Sequence, residues 1–135
     1  IPLALAAAQG KRPPLKLFGT DYDTRDGTCI RDYIHVLDLA EAHRLALNAL
    51  LSGSKGTAYN VGTGRGTTVR EVLESIHRVT GDPVPHEDAP RRDGDPPALY
   101  ARAAKIEDEL DWSPKWTHID QIVKTAAQWA QKPRY

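Results

Sequence analysis

The pattern of apolar and polar positions changes period several times along the chain. Where apolar residues recur every three to four positions, the pattern predicts a helix with one buried stripe, and where they alternate with polar residues it predicts a short strand. The helical pattern occurs at residues 1–10, 38–52, 69–80 and 103–110 and from about residue 117 onward. The extended pattern occurs at residues 15–18, 29–36 and 57–61. The chain is therefore predicted to be an α/β assembly with a small mixed sheet and several helices.

Capping residues mark two helix boundaries. Thr68 and Glu71 have the spacing of a capping box, and Gly81 is placed to end that helix. Asp38 and Glu41 have the same spacing, so the preceding helix is predicted to begin at Asp38. The segment 82–97 is rich in proline and charge and is predicted to be a long loop.

Composition narrows the class of protein. With 135 residues, the chain is one domain or a piece of a larger one, and 18 basic residues balance 18 acidic ones. No net charge draws it to nucleic acid or to a membrane surface, and no apolar run approaches the roughly 18–20 residues of a membrane span.

The single cysteine, Cys29, excludes an internal disulfide and indicates a cytoplasmic protein. The histidines lack metal-ligand spacing, so no metal site is expected. The chain contains no methionine, which suggests that its true beginning lies upstream.

The glycines at 62, 64 and 66 invite comparison with a dinucleotide-binding turn. That fingerprint requires Gly-x-Gly-x-x-Gly, and here the third glycine comes one residue early. Two interpretations remain open at this point: a turn that cradles a nucleotide, or a flexible connection from strand to helix.

Two segments that contain arginines also allow two interpretations each, an anion-binding site or ion pairs within the protein. Arg91 and Arg92 precede a glycine-permitted turn that ends at Asp95, where guanidinium groups could hold a diphosphate or simply pair with nearby acids in a solvated loop. Arg31 lies in a strand-like run, and a buried charge there needs either an acid such as Asp32 or an anionic ligand. Local chemistry does not decide between these alternatives.

Three runs resemble the UDP-glucose 4-epimerase family of extended short-chain dehydrogenases/reductases. They are FGTDYDTRDGTCIRDYIHVLDLA at 18–40, YNVGTG at 59–64 and APRRDGDP at 89–96, and they occur in the family's order. The resemblance covers essentially the whole chain. It implies NAD bound on an N-terminal Rossmann domain, a UDP-sugar held between that domain and a smaller C-terminal one, and hydride transfer at C4 of the sugar.

The resemblance also implies roles for individual residues. Arg31 and Arg92 match the arginines that contact the UDP phosphates, and Asp95 matches the acid that meets the ribose. Leu99 stands where the family places a residue that limits sugar size. The remaining matches are the residues of the short strand that lines the uracil pocket: Lys16, Leu17 and Phe18.

What the chain lacks is equally informative. The family's N-terminal glycine fingerprint and its Tyr-x-x-x-Lys pair are absent, so the chain offers no catalytic and no NAD-binding residues. A Rossmann half of on the order of 150–200 residues is missing. We therefore predict that residues 1–135 are the C-terminal UDP-sugar-binding portion of the enzyme, that 34–52 pack on the missing half, that the intact protein is a homodimer and that this chain alone is inactive. The alternatives are a portion of a UDP-pentose or UDP-uronate 4-epimerase, and a stand-alone UDP-sugar-binding or interaction module.

Overall fold

The computed structural model describes residues 1–132, so the last three residues of the predicted 1–135 portion lie outside the described part. Within it, helices and short strands follow one another along the chain. They are α1 (Pro2–Ala8), β1 (Leu15–Phe18), β2 (Ile30–Asp32), α2 (Val36–Leu51), β3 (Gly66–Thr68), α3 (Val69–Thr80), β4 (His86–Ala89), β5 (Ala98–Leu99), α4 (Ala104–Leu110) and α5 (Ile119–Gln131).

The strands form two small sheets in the described part of the chain. In the first, β1 pairs with β4 in parallel. In the second the order is β3-β2-β5, with β2 antiparallel to β3 and parallel to β5. The predicted α/β class with mixed strand directions is confirmed, although the strands divide between two sheets.

Two apolar clusters hold these elements together. The larger joins α1, α3 and α5, where burial of the helical stripes removes apolar surface from water. Its buried members are Ala4, Leu5, Ala7, Val72, Leu73, Ile76, Val84, Val123 and Ala127. The smaller packs α2 against α4 through Ala42, Ala103, Ile106 and Trp112.

The predicted ends of α3 are confirmed. The Thr68 hydroxyl accepts a hydrogen bond from the Glu71 amide at 3.1 Å, and the Glu71 carboxylate accepts one from the Thr68 amide at 2.8 Å. This reciprocal pair satisfies two amides that a helix start leaves free. Gly81 ends the helix in the left-handed region, with φ 81°.

The predicted start of α2 at Asp38 was wrong. The helix begins two residues earlier, because the Nδ1 atom of His35 accepts a hydrogen bond from the Leu37 amide at 3.0 Å. Asp38 instead lies buried in the first turn, where its carboxylate accepts from the amides of Lys115 at 3.1 Å and Trp116 at 3.0 Å. Asp38 therefore binds amides of a distant loop and does not cap its own helix.

Two predictions about extended segments were also wrong. Residues 57–61 form no strand, because no other strand in the described part lies beside them. Conversely, the predicted loop over 82–97 contains β4, which pairs with β1. Its residues are mostly exposed and charged, so the local sequence gave no alternating pattern.

Two features are absent from residues 1–132. None of the described helices has the length and apolarity needed to cross a membrane. The same residues contain no group of three or more histidine, cysteine, aspartate or glutamate side chains that could hold a metal ion.

Candidate functional site

A cavity of about 230 Å³ lies where β1, β2 and the loop after β4 meet. It contains six of the seven residues predicted to bind substrate, brought together from three separate segments. The complete lining is Lys16, Leu17, Phe18, Thr28, Cys29, Arg31, Val69, Arg92 and Asp95. We call this the first cavity.

Strand pairing explains why these distant segments converge. The parallel register of the first sheet places Phe18 opposite Ala89, and the Gly19 amide donates to the Ala89 carbonyl at 2.9 Å. The loop that follows β4 therefore starts beside the end of β1. This arrangement places Arg92 at the edge of the cavity.

Arg31 enters the first cavity from β2. One of its terminal nitrogens donates to the carbonyls of Ile30 at 2.8 Å and Pro96 at 2.9 Å, and the other reaches a carboxylate oxygen of Asp95 at 3.4 Å. The carbonyl contacts fix the guanidinium direction. Because the carboxylate contact is long, the ion pair with Asp95 is weak.

Arg92 is held in a different way. Its guanidinium carbon lies 3.7 Å from the centroid of the Phe18 ring, which is the geometry of a cation–π contact. Within residues 1–132 the Arg92 guanidinium makes no hydrogen bond or ion pair, whereas four other arginines (Arg25, Arg44, Arg78 and Arg91) pair with carboxylates at closer range than Arg31 does. An aromatic ring, and no acid of the described chain, therefore orients this cation at the cavity.

Arg91 does not line the first cavity. It donates to the Asp21 carboxylate at 2.8 Å and lies 4.3 Å over the Tyr22 ring. The hydrogen bond from Arg91 lowers the pKa of Asp21. Of the two adjacent arginines, one therefore pairs with an acid, as in the solvated-loop interpretation, and Arg92 alone faces the cavity.

The glycine turn is built around the carboxylate of Asp32. That carboxylate accepts hydrogen bonds from the Thr63 amide and hydroxyl at 3.0 and 2.6 Å, from the Gly64 amide at 3.0 Å and from the Ala101 amide at 3.2 Å. A Cβ on Gly62 would lie 2.4 Å from the same carboxylate. Because two of the turn's amides are already used inside the protein, this turn does not fit the pyrophosphate of a dinucleotide. The strand-to-helix interpretation was also wrong, since residues 57–61 form no strand and the turn leads into β3.

The seventh predicted residue, Leu99, lies in a neighbouring second cavity of about 430 Å³. Leu99 is 61% exposed and pairs with Arg31 in the register of β5 with β2. The lining of this cavity is Arg31, Asp32, Asn60, Leu99, Tyr100, Ala101 and Arg102. Since Arg31 lines both cavities, it lies at their junction.

Three residues that were not predicted from the sequence also line the first cavity: Thr28, Cys29 and Val69. Thr28 is fixed by Asp26, whose carboxylate accepts from the Thr28 amide at 2.9 Å and hydroxyl at 2.7 Å. Burial opposes ionisation of Asp26, but hydrogen bonds from Thr68 and Thr28 outweigh it and leave the Asp26 pKa below its ordinary value. An aspartate two residues before a threonine is a recognisable Asx-turn signal, and it was available in the sequence.

Comparison with known proteins assigns the chain to a family. A family model described as GDP-mannose 4,6 dehydratase matches residues 1–126. The chain belongs to this family of extended short-chain dehydrogenases/reductases. Within it, the chain is similar to the C-terminal part of UDP-glucose 4-epimerases.

Three relatives illustrate this similarity. A UDP-glucose 4-epimerase of Azospirillum brasilense is 54% identical over 96% of this chain and 37% of its own length. A bifunctional UDP-glucose 4-epimerase and UDP-xylose 4-epimerase of Arabidopsis thaliana is 46% identical over 98% of this chain and 38% of its own length. The crystal structure of the Bifidobacterium longum UDP-glucose 4-epimerase in complex with NAD+ and UDP superposes with a TM-score of 0.87 at 38% identity, covering 98% of this chain and 39% of that one. The chain thus spans about two fifths of the length of these relatives.

Proposed function

We propose that this chain is the UDP-sugar-binding portion of a UDP-glucose/UDP-galactose 4-epimerase. The observation that carries the proposal is the first cavity, where Arg31 and Arg92 from distant segments line one space together with Asp95 and β1. The same side chains are those that the family resemblance matches to the nucleotide.

The charges of the first cavity suit a diphosphate. Three cationic side chains, Lys16, Arg31 and Arg92, line it together with one carboxylate, Asp95. Guanidinium groups match phosphate oxygens in geometry and charge. Arg92 has no acidic partner among the described residues, so a phosphate would not have to displace one.

The nucleoside would lie against β1. In this proposal the backbone of Lys16, Leu17 and Phe18 lines the uracil, and Asp95 accepts a hydrogen bond from the ribose. The Asp95 side chain is 36% exposed and its contact with Arg31 is 3.4 Å long, so its oxygens remain available to a hydroxyl group.

The sugar would occupy the second cavity. Because Arg31 lines both cavities, a diphosphate bound there would direct the attached sugar toward Leu99. We propose that Leu99 limits the size of the sugar. Holding the nucleotide end firmly is what would orient the sugar for reaction.

The rest of the enzyme would pack on the segment 34–52. The exposed side of α2 carries apolar residues, and the most exposed are Val36 at 70%, Leu37 at 57%, Leu47 at 55%, Leu50 at 51% and Leu51 at 78%. We propose that this surface packs on a nucleotide-binding half that binds NAD and carries the catalytic residues, in a cytoplasmic homodimer. When bound, NAD would supply the oxidation and reduction at C4 of the sugar. The 135-residue chain alone would then be inactive.

The related UDP-xylose activity is a second candidate. The Arabidopsis relative is named for both UDP-glucose and UDP-xylose 4-epimerisation, at 46% identity to this chain. The two sugars differ in the group at C5, and the second cavity is the part of the described chain that would face the sugar. UDP-glucose and UDP-xylose must therefore be assayed side by side.

A chimeric enzyme tests the proposal. The chain replaces the matching C-terminal segment of the Azospirillum relative, so that the relative supplies the other half. We expect interconversion of UDP-glucose and UDP-galactose by the chimera and none by the chain alone. Arg31→Ala and Arg92→Ala should each raise KM for UDP-glucose at least tenfold, as loss of a charge-assisted phosphate contact of about 1.5–3 kcal/mol implies.

Arg12→Ala is the matched control, because Arg12 is exposed and lines neither cavity. A folded, NAD-loaded chimera without activity would contradict the proposed function. An active chimera whose KM for UDP-glucose is unchanged by both arginine substitutions would contradict the proposed site. Turnover of UDP-xylose but not UDP-glucose would favour the second candidate.

A further inference from the structure

Asp32 ends β2, directly after the arginine at the junction of the two cavities. Its carboxylate receives four hydrogen bonds, from the Thr63 amide and hydroxyl, the Gly64 amide and the Ala101 amide, at 2.6–3.2 Å. One side chain thus ties β2 to the glycine turn and to the segment that follows β5. Hydrogen bonds to an ionised carboxylate are stronger than neutral ones, so this junction is firm.

The connection controls where Leu99 lies. Backbone pairing joins Leu99 to Arg31, and two residues later the Ala101 amide is bound by Asp32. Two consecutive residues of β2 therefore hold two nearby positions of the segment that borders the second cavity. The distance between the proposed diphosphate contact and the proposed size-limiting side chain is set by these two attachments.

Asp32 does not serve as the counterion of its neighbour. The carboxylate that contacts Arg31 belongs to Asp95. Both oxygens of Asp32 accept from donors outside β2, and Gly62 leaves the space that the carboxylate needs. A substitution of Asp32 can therefore remove its hydrogen bonds to the glycine turn and to Ala101 without removing the acidic partner of Arg31.

We propose that Asp32 is a positioning residue for the sugar: it fixes the Leu99 segment relative to Arg31 and so sets the fit of the sugar without contacting the nucleotide. This inference rests on the proposed function for the identity of the ligand. The fixed geometry itself rests on the Asp32 contacts alone.

The test is Asp32→Asn in the 135-residue chain. Asparagine keeps one acceptor oxygen but places an NH2 group where the second oxygen accepted, opposite the amides of Gly64 and Ala101. We expect amide hydrogen exchange at Gly64 and Ala101 to rise at least tenfold. By calorimetry, UDP affinity should change less than twofold, while UDP-glucose affinity should fall at least fivefold.

Asp82→Asn is the matched control, since the Asp82 side chain is exposed and makes no hydrogen bond or ion pair with the described residues. If Asp32→Asn fails to fold by circular dichroism, Thr63→Ala should give a smaller change in the same direction, because it removes one of the four donors to Asp32 together with the acceptor of the Arg65 amide. Unchanged exchange, or equal changes in UDP and UDP-glucose affinity, would overturn the inference. Failure of the unsubstituted chain to bind UDP would instead count against the proposed function, while the exchange result would still decide whether Asp32 holds the Ala101 segment.

Discussion

The guanidinium carbon of Arg92 lies 3.7 Å from the centroid of the Phe18 ring. The ring belongs to β1 and the arginine to the loop after β4, and the parallel pairing of these strands brings the two side chains together. An arginine oriented by an aromatic face keeps all its N–H donors for a ligand, whereas one oriented by a carboxylate has already used some of them. Phe18 therefore orients the Arg92 guanidinium and leaves its N–H groups available to bind an anion.

Phe18→Leu should weaken UDP binding through this contact. An exposed cation–π contact is worth about 0.5–1 kcal/mol, so we expect an affinity loss of about two- to fivefold in a calorimetric titration. Phe18→Tyr retains the aromatic face and should bind UDP almost as the unsubstituted chain does. Equal affinities of the leucine and tyrosine variants would show that the ring does not orient Arg92.

Leu99→Tyr in the chimera should make the enzyme more selective for small sugars. Leu99 is 61% exposed at the second cavity, and a larger ring there would crowd an N-acetyl group. Overpacking of a fitted site costs about 1–3 kcal/mol, so we expect the ratio of UDP-GlcNAc to UDP-glucose turnover to fall at least about fivefold. Leu99→Ala should move the ratio in the opposite direction. An unchanged ratio in Leu99→Tyr would remove Leu99 from its proposed role.

Local features of the fold were predictable, whereas features that depend on distant partners were not. The capping box of Thr68 and Glu71 acts within one helical turn, so its spacing in the sequence was sufficient. The start of α2 was missed because Asp38 binds amides from residues 115 and 116. Strand β4 was missed because its pairing with β1 joins segments about 70 residues apart and leaves most of its side chains exposed.

In the candidate site, too, contacts between distant segments could not be predicted from the local sequence. The chemistry of the segments that contain Arg31 and Arg92 allowed either a contact with an anionic ligand or an ion pair within the protein. Only the family resemblance favoured the phosphate contacts. The structure then placed both side chains on one cavity. The role of Asp32 was not visible, because an aspartate next to an arginine suggests an ion pair, and its real partners lie in two other segments.

Thr68→Ala should destabilise the fold. Thr68 is fully buried, caps α3 through the Glu71 amide and donates to the carboxylate of Asp26 at 2.5 Å. Loss of a threonine cap costs up to about 2 kcal/mol, and the partner carboxylate also loses a donor, so we expect a decrease of about 2 kcal/mol in the free energy of unfolding by urea. Thr67→Ala, one residue earlier and outside the cap, is the control. A decrease equal to that of the control would contradict this account.

Acid should destabilise the protein partly through Glu71. The hydrogen bond from Arg25 lowers the Glu71 pKa in the folded state, and bonds from Thr68 act in the same direction against the effect of burial. A carboxyl with a lowered folded pKa contributes stability above its unfolded pKa of about 4.3, and this contribution is lost as the pH falls through the folded value. The unfolding free energy should therefore fall below about pH 5, and Glu71→Gln should reduce that dependence. Glu74→Gln, an exposed neighbour on α3, should leave the dependence unchanged. Parallel pH profiles for Glu71→Gln and the unsubstituted chain would contradict the assignment.

The apolar side of α2 should make the isolated chain self-associate. Leu47 and Leu51 are one helical turn apart, 55% and 78% exposed, and neighbouring apolar side chains extend the patch. Leu47→Glu with Leu51→Glu should lower the average mass measured by light scattering, because charge replaces the apolar contact. Asn48→Glu, which adds one charge beside the patch, should have a much smaller effect.

The same double substitution separates simple self-association from docking on a nucleotide-binding half. If α2 packs on that half in the intact enzyme, the two glutamates would be buried without partners in the chimera, which is costly. We then expect the chimera to lose thermal stability and activity together, while Asn48→Glu retains both. A chimera that tolerates the double substitution would show that α2 stays exposed in the assembled protein, and the proposed packing of 34–52 would be wrong.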